Sequence, residues 1–124
     1  MRVLILLSSL ALALGAGADA APSRGTLRGV VMRGPVAPVC VAEQPCDEPA
    51  AHVELLFLRN NNSVAGHAVT DLAGRYAVRL PGGLYTVRRS AVAGPLDRKL
   101  EPNRARVYAG RTNRVDFSID TGIR

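Results

Sequence analysis

Fifteen arginines stand against a single lysine, Lys99, and the formal net charge is +6. A guanidinium is a planar fork of donors that fits phosphate and carboxylate, so the placement of the arginines matters more than their number. Seven of them, Arg28, Arg75, Arg79, Arg88, Arg104, Arg106 and Arg114, alternate with apolar residues and are expected to point outward from strands. Arg75, Arg79, Arg104 and Arg106 are the expected contacts for an anionic polymer or an acidic partner protein. The same alternation also describes a solvated face, and exposed arginines blunt sheet edges against aggregation. Spacing alone leaves both readings open.

The other reactive side chains do not assemble into a catalytic pattern. A hydrolase needs a nucleophile beside a base. His52 and His67 are the only histidines, and Ser63, Ser90 and Ser118 lack a Gly-x-Ser-x-Gly setting. His52 and His67 are placed to face each other on adjacent strands with Glu54 or Asp71 nearby, but a metal site requires three or four ligands in fixed geometry, and two lone strand histidines more often stand at a surface or rim. An isopeptide cross-link needs a buried lysine on an early strand, whereas Lys99 is expected in a loop near Pro102. Sugar sites use exposed aromatic platforms, and of Phe57, Tyr76, Tyr85, Tyr108 and Phe117 only Tyr108 is expected to face outward. No aromatic residues interleave with the arginines as single-stranded nucleic-acid binding demands. The expectation is a protein without catalytic activity, cofactor or metal, and one that binds no nucleic acid.

The positioning elements begin after residue 20. Arg2, the apolar run from Val3 to Leu14 and Ala18-Asp19-Ala20 read as a secretory signal cleaved after Ala20. The run is short for a membrane span, which takes about 20 apolar residues. The expected mature chain, residues 21–124, is a single domain, secreted or periplasmic and monomeric. Its net charge is unchanged, because cleavage removes one Arg and one Asp. Export brings Cys40 and Cys46 to a disulfide-permissive compartment, and an even count with no thiol left over fits one bridge.

Beyond residue 25 the pattern is short runs of Val, Leu, Tyr, Phe and Thr, separated by Gly, Pro, Asn and Asp. That is a strand signature, and a spacing of about ten residues suggests a sandwich. Seven antiparallel strands are expected: 25–33, 52–58, 64–70, 75–80, 84–89, 104–109 and 114–120. Between the first two lies a loop, 34–50, with four prolines and both cysteines. Asp71-Leu72-Ala73-Gly74 is expected to be a tight turn in which Asp71 bonds backbone amides two residues on and Gly74 takes positive φ.

Thr70-Asp71-Leu72-Ala73-Gly74-Arg75-Tyr76, followed by Leu80-Pro81-Gly82-Gly83-Leu84-Tyr85-Thr86-Val87, resembles the core of the carboxypeptidase regulatory-like domain. The resemblance covers most of residues 25–120 and implies a transthyretin-like, immunoglobulin-like seven-strand β-sandwich. Its motifs are folding signals and carry no activity with them. The ureide hydrolase that shares this fold has a basic, His-bearing signature and a Tyr-Arg-Gly-Ser end, and neither is present. A narrower likeness is to small exported bacterial proteins with a Gly-Pro…Cys…Pro-Cys…Pro loop, here Gly34-Pro35…Cys40…Pro45-Cys46…Pro49, and a tail like Asp120-Thr121-Gly122-Ile123-Arg124. The chain departs from that pattern at Ala37, where the first cysteine is usual. Together these readings imply an exported, noncatalytic binding or accessory module. A purely structural envelope domain and a carbohydrate-binding module are the alternatives.

Overall fold

The computed structural model describes residues 23–90 and 99–123. The expected signal segment and its cleavage site lie outside them. All regular elements among the described residues are strands: β1 (Arg24–Gly34), β2 (Glu48–Pro49), β3 (Glu54–Leu58), β4 (Val64–Val69), β5 (Arg75–Pro81), β6 (Gly83–Arg89), β7 (Lys99–Glu101), β8 (Arg104–Val107), β9 (Thr112–Arg114) and β10 (Phe117–Asp120). No helix among them is long and apolar enough to cross a membrane.

Two sheets form a sandwich. The second runs β4-β3-β6-β8 and is antiparallel throughout. The first has six strands built around β1. On one side β1 pairs antiparallel with β5 and then with β2. On its other side it pairs with β9 and then β10, and both pairings are parallel. β7 closes that edge against β10. The expected all-antiparallel arrangement is therefore corrected in this sheet: the end of the chain returns alongside β1 in the same direction.

Alternation places the core as expected. Leu27, Val31, Tyr76, Leu80, Phe117 and Ile119 of the first sheet meet Leu55, Phe57, Tyr85, Val87, Ala105 and Val107 of the second, all nearly fully buried. The Tyr76 ring lies 6.3 Å from Phe57 and 5.5 Å from Phe117, tilted against both, which joins the sheets near their centre.

Among the described residues ten strands replace the expected seven; one of them, β7, pairs with β10 and puts Lys99 on a strand where a loop was expected. The expected 114–120 strand is interrupted at Val115-Asp116. There the Asp116 carboxylate accepts the Val30 amide at 2.9 Å, taking the place of a backbone carbonyl in the ladder. The chain comes so near β1 here that a Cβ on Gly29 would stand 2.0 Å from the Val115 carbonyl oxygen, so only glycine fits. The Tyr76 hydroxyl donates to that same carbonyl at 2.5 Å. His52 leaves the expected second strand, with φ of 58°. Glu48-Pro49 forms a short edge pairing inside the expected loop, a position where proline's missing donor costs little. The Asp71–Gly74 turn forms as expected. Asp71 Oδ1 accepts the amides of Ala73 and Arg75, both at 2.9 Å, and Gly74 has φ of 77°.

The loop after β1 is tied at both ends. Cys40 and Cys46 form the expected bridge, their Cα atoms 5.4 Å apart. Thr121 holds the loop's start, its hydroxyl donating to the Pro35 carbonyl at 2.7 Å and its amide to the Gly34 carbonyl at 3.0 Å. Thr70, also buried, does the same at the loop's end, donating to the Ala50 carbonyl at 2.5 Å and accepting the Val53 amide at 2.9 Å.

Candidate functional site

Strand pairing decides which arginines meet. Arg75 and Arg79 are exposed on β5, opposite Val30 and Thr26 of β1. Between those two partners, Arg28 points outward on the same face. It lies diagonal to both Arg75 and Arg79, at the roughly 7–8 Å spacing of such neighbours, and across β1 it is in register with Arg114 of β9. Arg24 completes the group, donating to the Arg79 carbonyl at 3.3 Å. Five arginines therefore share the outer face of the first sheet, over β5, β1 and β9. Arg104 and Arg106 are exposed on β8, at the edge of the second sheet, with Arg88 on the neighbouring β6. Their strands bury the opposite side in the same core, so the four expected contact residues form two pairs facing away from each other.

The first-sheet group has a floor. A depression of about 270 Å³ is lined by Arg28, Gly29, Val30, Arg75, Tyr76 and Arg114. Glycine at position 29 and Ala77 in register with Arg28 keep side-chain bulk low around the central arginine. Two carboxylates border the group. Asp116 accepts from Arg114 Nε at 2.9 and 3.2 Å. That bond, then the Val30 amide, holds the Asp116 carboxyl below its ordinary value, and the same bond raises Arg114. Asp71 lies 3.8 Å from Arg75 Nε and is also held low, first by the Arg75 amide. Burial pushes the Tyr76 phenol well above its usual value, so it stays protonated as a donor. Arg28 makes no ion pair or side-chain hydrogen bond among the described residues.

The other end of the same face is acidic. A cleft of about 810 Å³ there is lined by Asp47, Glu101 and Asp116, together with Met32 and Ser118. Ser118 pairs with Glu101 across β10 and β7, and no histidine lines the cleft among the described residues. His67 is on the second sheet, its Nδ1 2.9 Å from Glu54 Oε2. Among the described residues, no group of three His, Cys, Asp or Glu side chains is placed to hold a metal ion. Tyr108 is the one aromatic with substantial exposure, 47%, while Phe57, Tyr76, Tyr85 and Phe117 are buried.

What sequence reading missed is Arg28 as the centre of the group, and the division of Arg75 and Arg79 from Arg104 and Arg106. Alternation gave each arginine its outward direction. The sheet to which each strand belongs follows from pairings between residues far apart in the chain, and no local signal carries that.

No family model matches the sequence, and no curated protein matches it either. Solved structures do. A minor pilin of Streptococcus agalactiae, GBS52, superposes with a TM-score of 0.55 at 15% identity, over 79% of this chain and 44% of that one. The shaft pilin SpaA of Lactobacillus rhamnosus GG gives 0.50 at 10% identity, over 81% of this chain and 51% of that one. The chain thus spans about half the length of these pilins or less, and at these identities the likeness is one of fold: an all-β sandwich.

Proposed function

We propose that the chain is an exported, noncatalytic β-sandwich module of the carboxypeptidase regulatory-like kind, which docks an anionic partner on the arginine-bearing outer face of its first sheet. The observation that carries this reading is the convergence of Arg28, Arg75, Arg79 and Arg114 on one face over three adjacent strands. Like charges at neighbouring positions of a sheet destabilise it, and this face concentrates them while Arg28 has no counterion among the described residues. The cystine suits a compartment outside the cytoplasm, and the pilin structures of similar fold are surface proteins. The expected signal at residues 1–20 and the single domain at 21–124 belong to the same proposal. Arg104 and Arg106 form a second, smaller candidate face with Arg88.

The test compares two variants that lose equal charge. One carries Arg28→Gln, Arg75→Gln and Arg79→Gln, and the other Arg88→Gln, Arg104→Gln and Arg106→Gln. Retention of residues 21–124 on an immobilised polyanion is measured as salt rises. The expected result is early elution of the first variant and near wild-type elution of the second, at matched net charge. Equal elution of the two would reduce the interaction to overall charge and overturn the assignment to this face.

A further inference from the structure

The depression over Gly29 and Val30 is bordered by three arginines from three strands, a concentration of charge that suits one small anion as well as a polymer. We propose that Arg28, Arg75 and Arg114 bind a phosphate group, with Arg28 as its central ligand. This deepens the docking reading above and rests on it.

The argument is geometric. Arg28 lies on the middle strand, with Arg114 beside it on β9 and Arg75 diagonal to it on β5. All three line the same depression of about 270 Å³, and they come from three adjacent strands. A planar carboxylate offers two oxygens along one edge. A tetrahedral phosphate offers three or four, and a phosphate monoester carries a charge of about −1.5 to −2 near neutral pH. Three guanidiniums from three strands match the second shape.

The neighbouring carboxylates leave this volume open. Asp116 engages Arg114 only through Nε, and the two terminal nitrogens of Arg114 make no hydrogen bond among the described residues. Asp71 approaches Arg75 Nε no closer than 3.8 Å, on the turn side of β5. Two single-edge contacts of this kind orient a guanidinium while leaving its outer edge to donate. Arg28, which has no such partner among the described residues, is the cation with most to gain from an arriving anion. Free phosphate and a phosphate ester on a larger molecule share this chemistry, and the assay separates them.

The experiment follows the arginine Nε–H resonances of residues 21–124 by NMR during titration with inorganic phosphate, glycerol phosphate, or acetate, at constant ionic strength. The expected result is saturable shifts at Arg28, Arg75 and Arg114 with the two phosphates and none with acetate. Tighter binding of glycerol phosphate than of inorganic phosphate would point to an ester as the source. Arg28→Gln should weaken phosphate binding by about tenfold or more, since charge-assisted bonds to that anion are lost. Arg28→Lys, which keeps the charge and loses the fork, should fall between, and Arg104→Gln should match the wild type. Thermal melting of each variant verifies that the fold is retained. Shifts that rise linearly and equally at Arg88, Arg104 and Arg106 would overturn the proposal, as would saturable binding that Arg28→Gln leaves intact. If polyanion retention still depends on the first-sheet face while phosphate fails to saturate, docking stands and the phosphate site falls. Loss of that retention pattern as well removes both.

Discussion

Between Arg24 and Val30, β1 is paired without interruption to seven residues of β5 and, through Arg28, to β9. Between Val31 and Gly34 its partners are the two residues of β2 and the four of β10, beside a loop held by one cystine. The first half carries arginines at fixed ladder spacing. The second half lies under carboxylates, with Asp47 close against Gly34 and Glu101 across the cleft. Asp116 marks the boundary, bonded to Val30 and Arg114 on one side and lining the acidic cleft on the other. One strand thus supports two kinds of surface. Where the ladder is long, repulsion among like charges is borne by backbone pairing. Where it is short, buried threonine hydroxyls and a covalent tie do the holding.

The junction is the point at which this contrast breaks most easily. Gly29→Ala puts a methyl within 2.0 Å of the Val115 carbonyl oxygen, and both chains must move. Denaturant unfolding should show a loss of about 2–3 kcal/mol. The same change should also displace Arg28 and Arg114 and lower retention on a polyanion.

Removing the bridge by joint Cys40→Ser and Cys46→Ser substitution tests the other half alone. The loop-closure estimate for so short a loop is about 2 kcal/mol. Hydrogen exchange should speed up at the Thr121 and Gly122 amides, which lie at the loop's anchor, and remain slow along β5. Equal acceleration in both halves would show that the division drawn here is not a mechanical one.

Asp116→Ala sharpens the boundary. The Val30 amide loses its acceptor and Arg114 its partner, for a loss of about 1 kcal/mol, at the modest end because Asp116 is half exposed. Acid should act in the same direction. The Asp71 and Asp116 carboxyls are held low in the folded protein. Their stabilisation is therefore fully present above the unfolded value, near 3.9, and fades as pH falls through the lower folded values. Urea midpoints taken from pH 6 down to pH 2.5 should decline for the wild type and less steeply for Asp116→Ala.

Arg28→Gln should produce the smallest change in stability, a gain of about a few tenths of a kcal/mol at low salt as repulsion is relieved. Added salt should abolish the gain. A clear loss in the melting temperature would mean that Arg28 is a structural residue.

Much of this fold was legible because strand alternation and turn chemistry are local. The inward Phe57, Tyr76, Tyr85 and Phe117, the outward Tyr108 and the Asp71–Gly74 turn all follow from neighbours in sequence, and the Cys40–Cys46 bridge from an even cysteine count in a chain expected to be exported. The parallel return of β9 and β10 was not legible, since apolar alternation is the same for either direction of pairing. Nor was the break at Asp116, where a side chain acts as a backbone acceptor. The site was half visible for the same reason. Arg75 and Arg79 share a face because one strand bears both. Arg28 joins them through a register across some 50 residues, and Arg104 and Arg106 are excluded because β8 belongs to the other sheet.

The parallel pairing of Val31 with Phe117 also has a kinetic consequence. The central strand lacks one whole side of its ladder until residues 112–120 are available. Contacts that span so much sequence fold slowly, on the millisecond-to-second scale of β-rich topologies. A chain made from its amino-terminal end therefore cannot complete the first sheet before residues 112–120 are available. Completion of the first sheet, and with it the burial of Phe117 and Ile119 against β1, is the step that waits on β9 and β10.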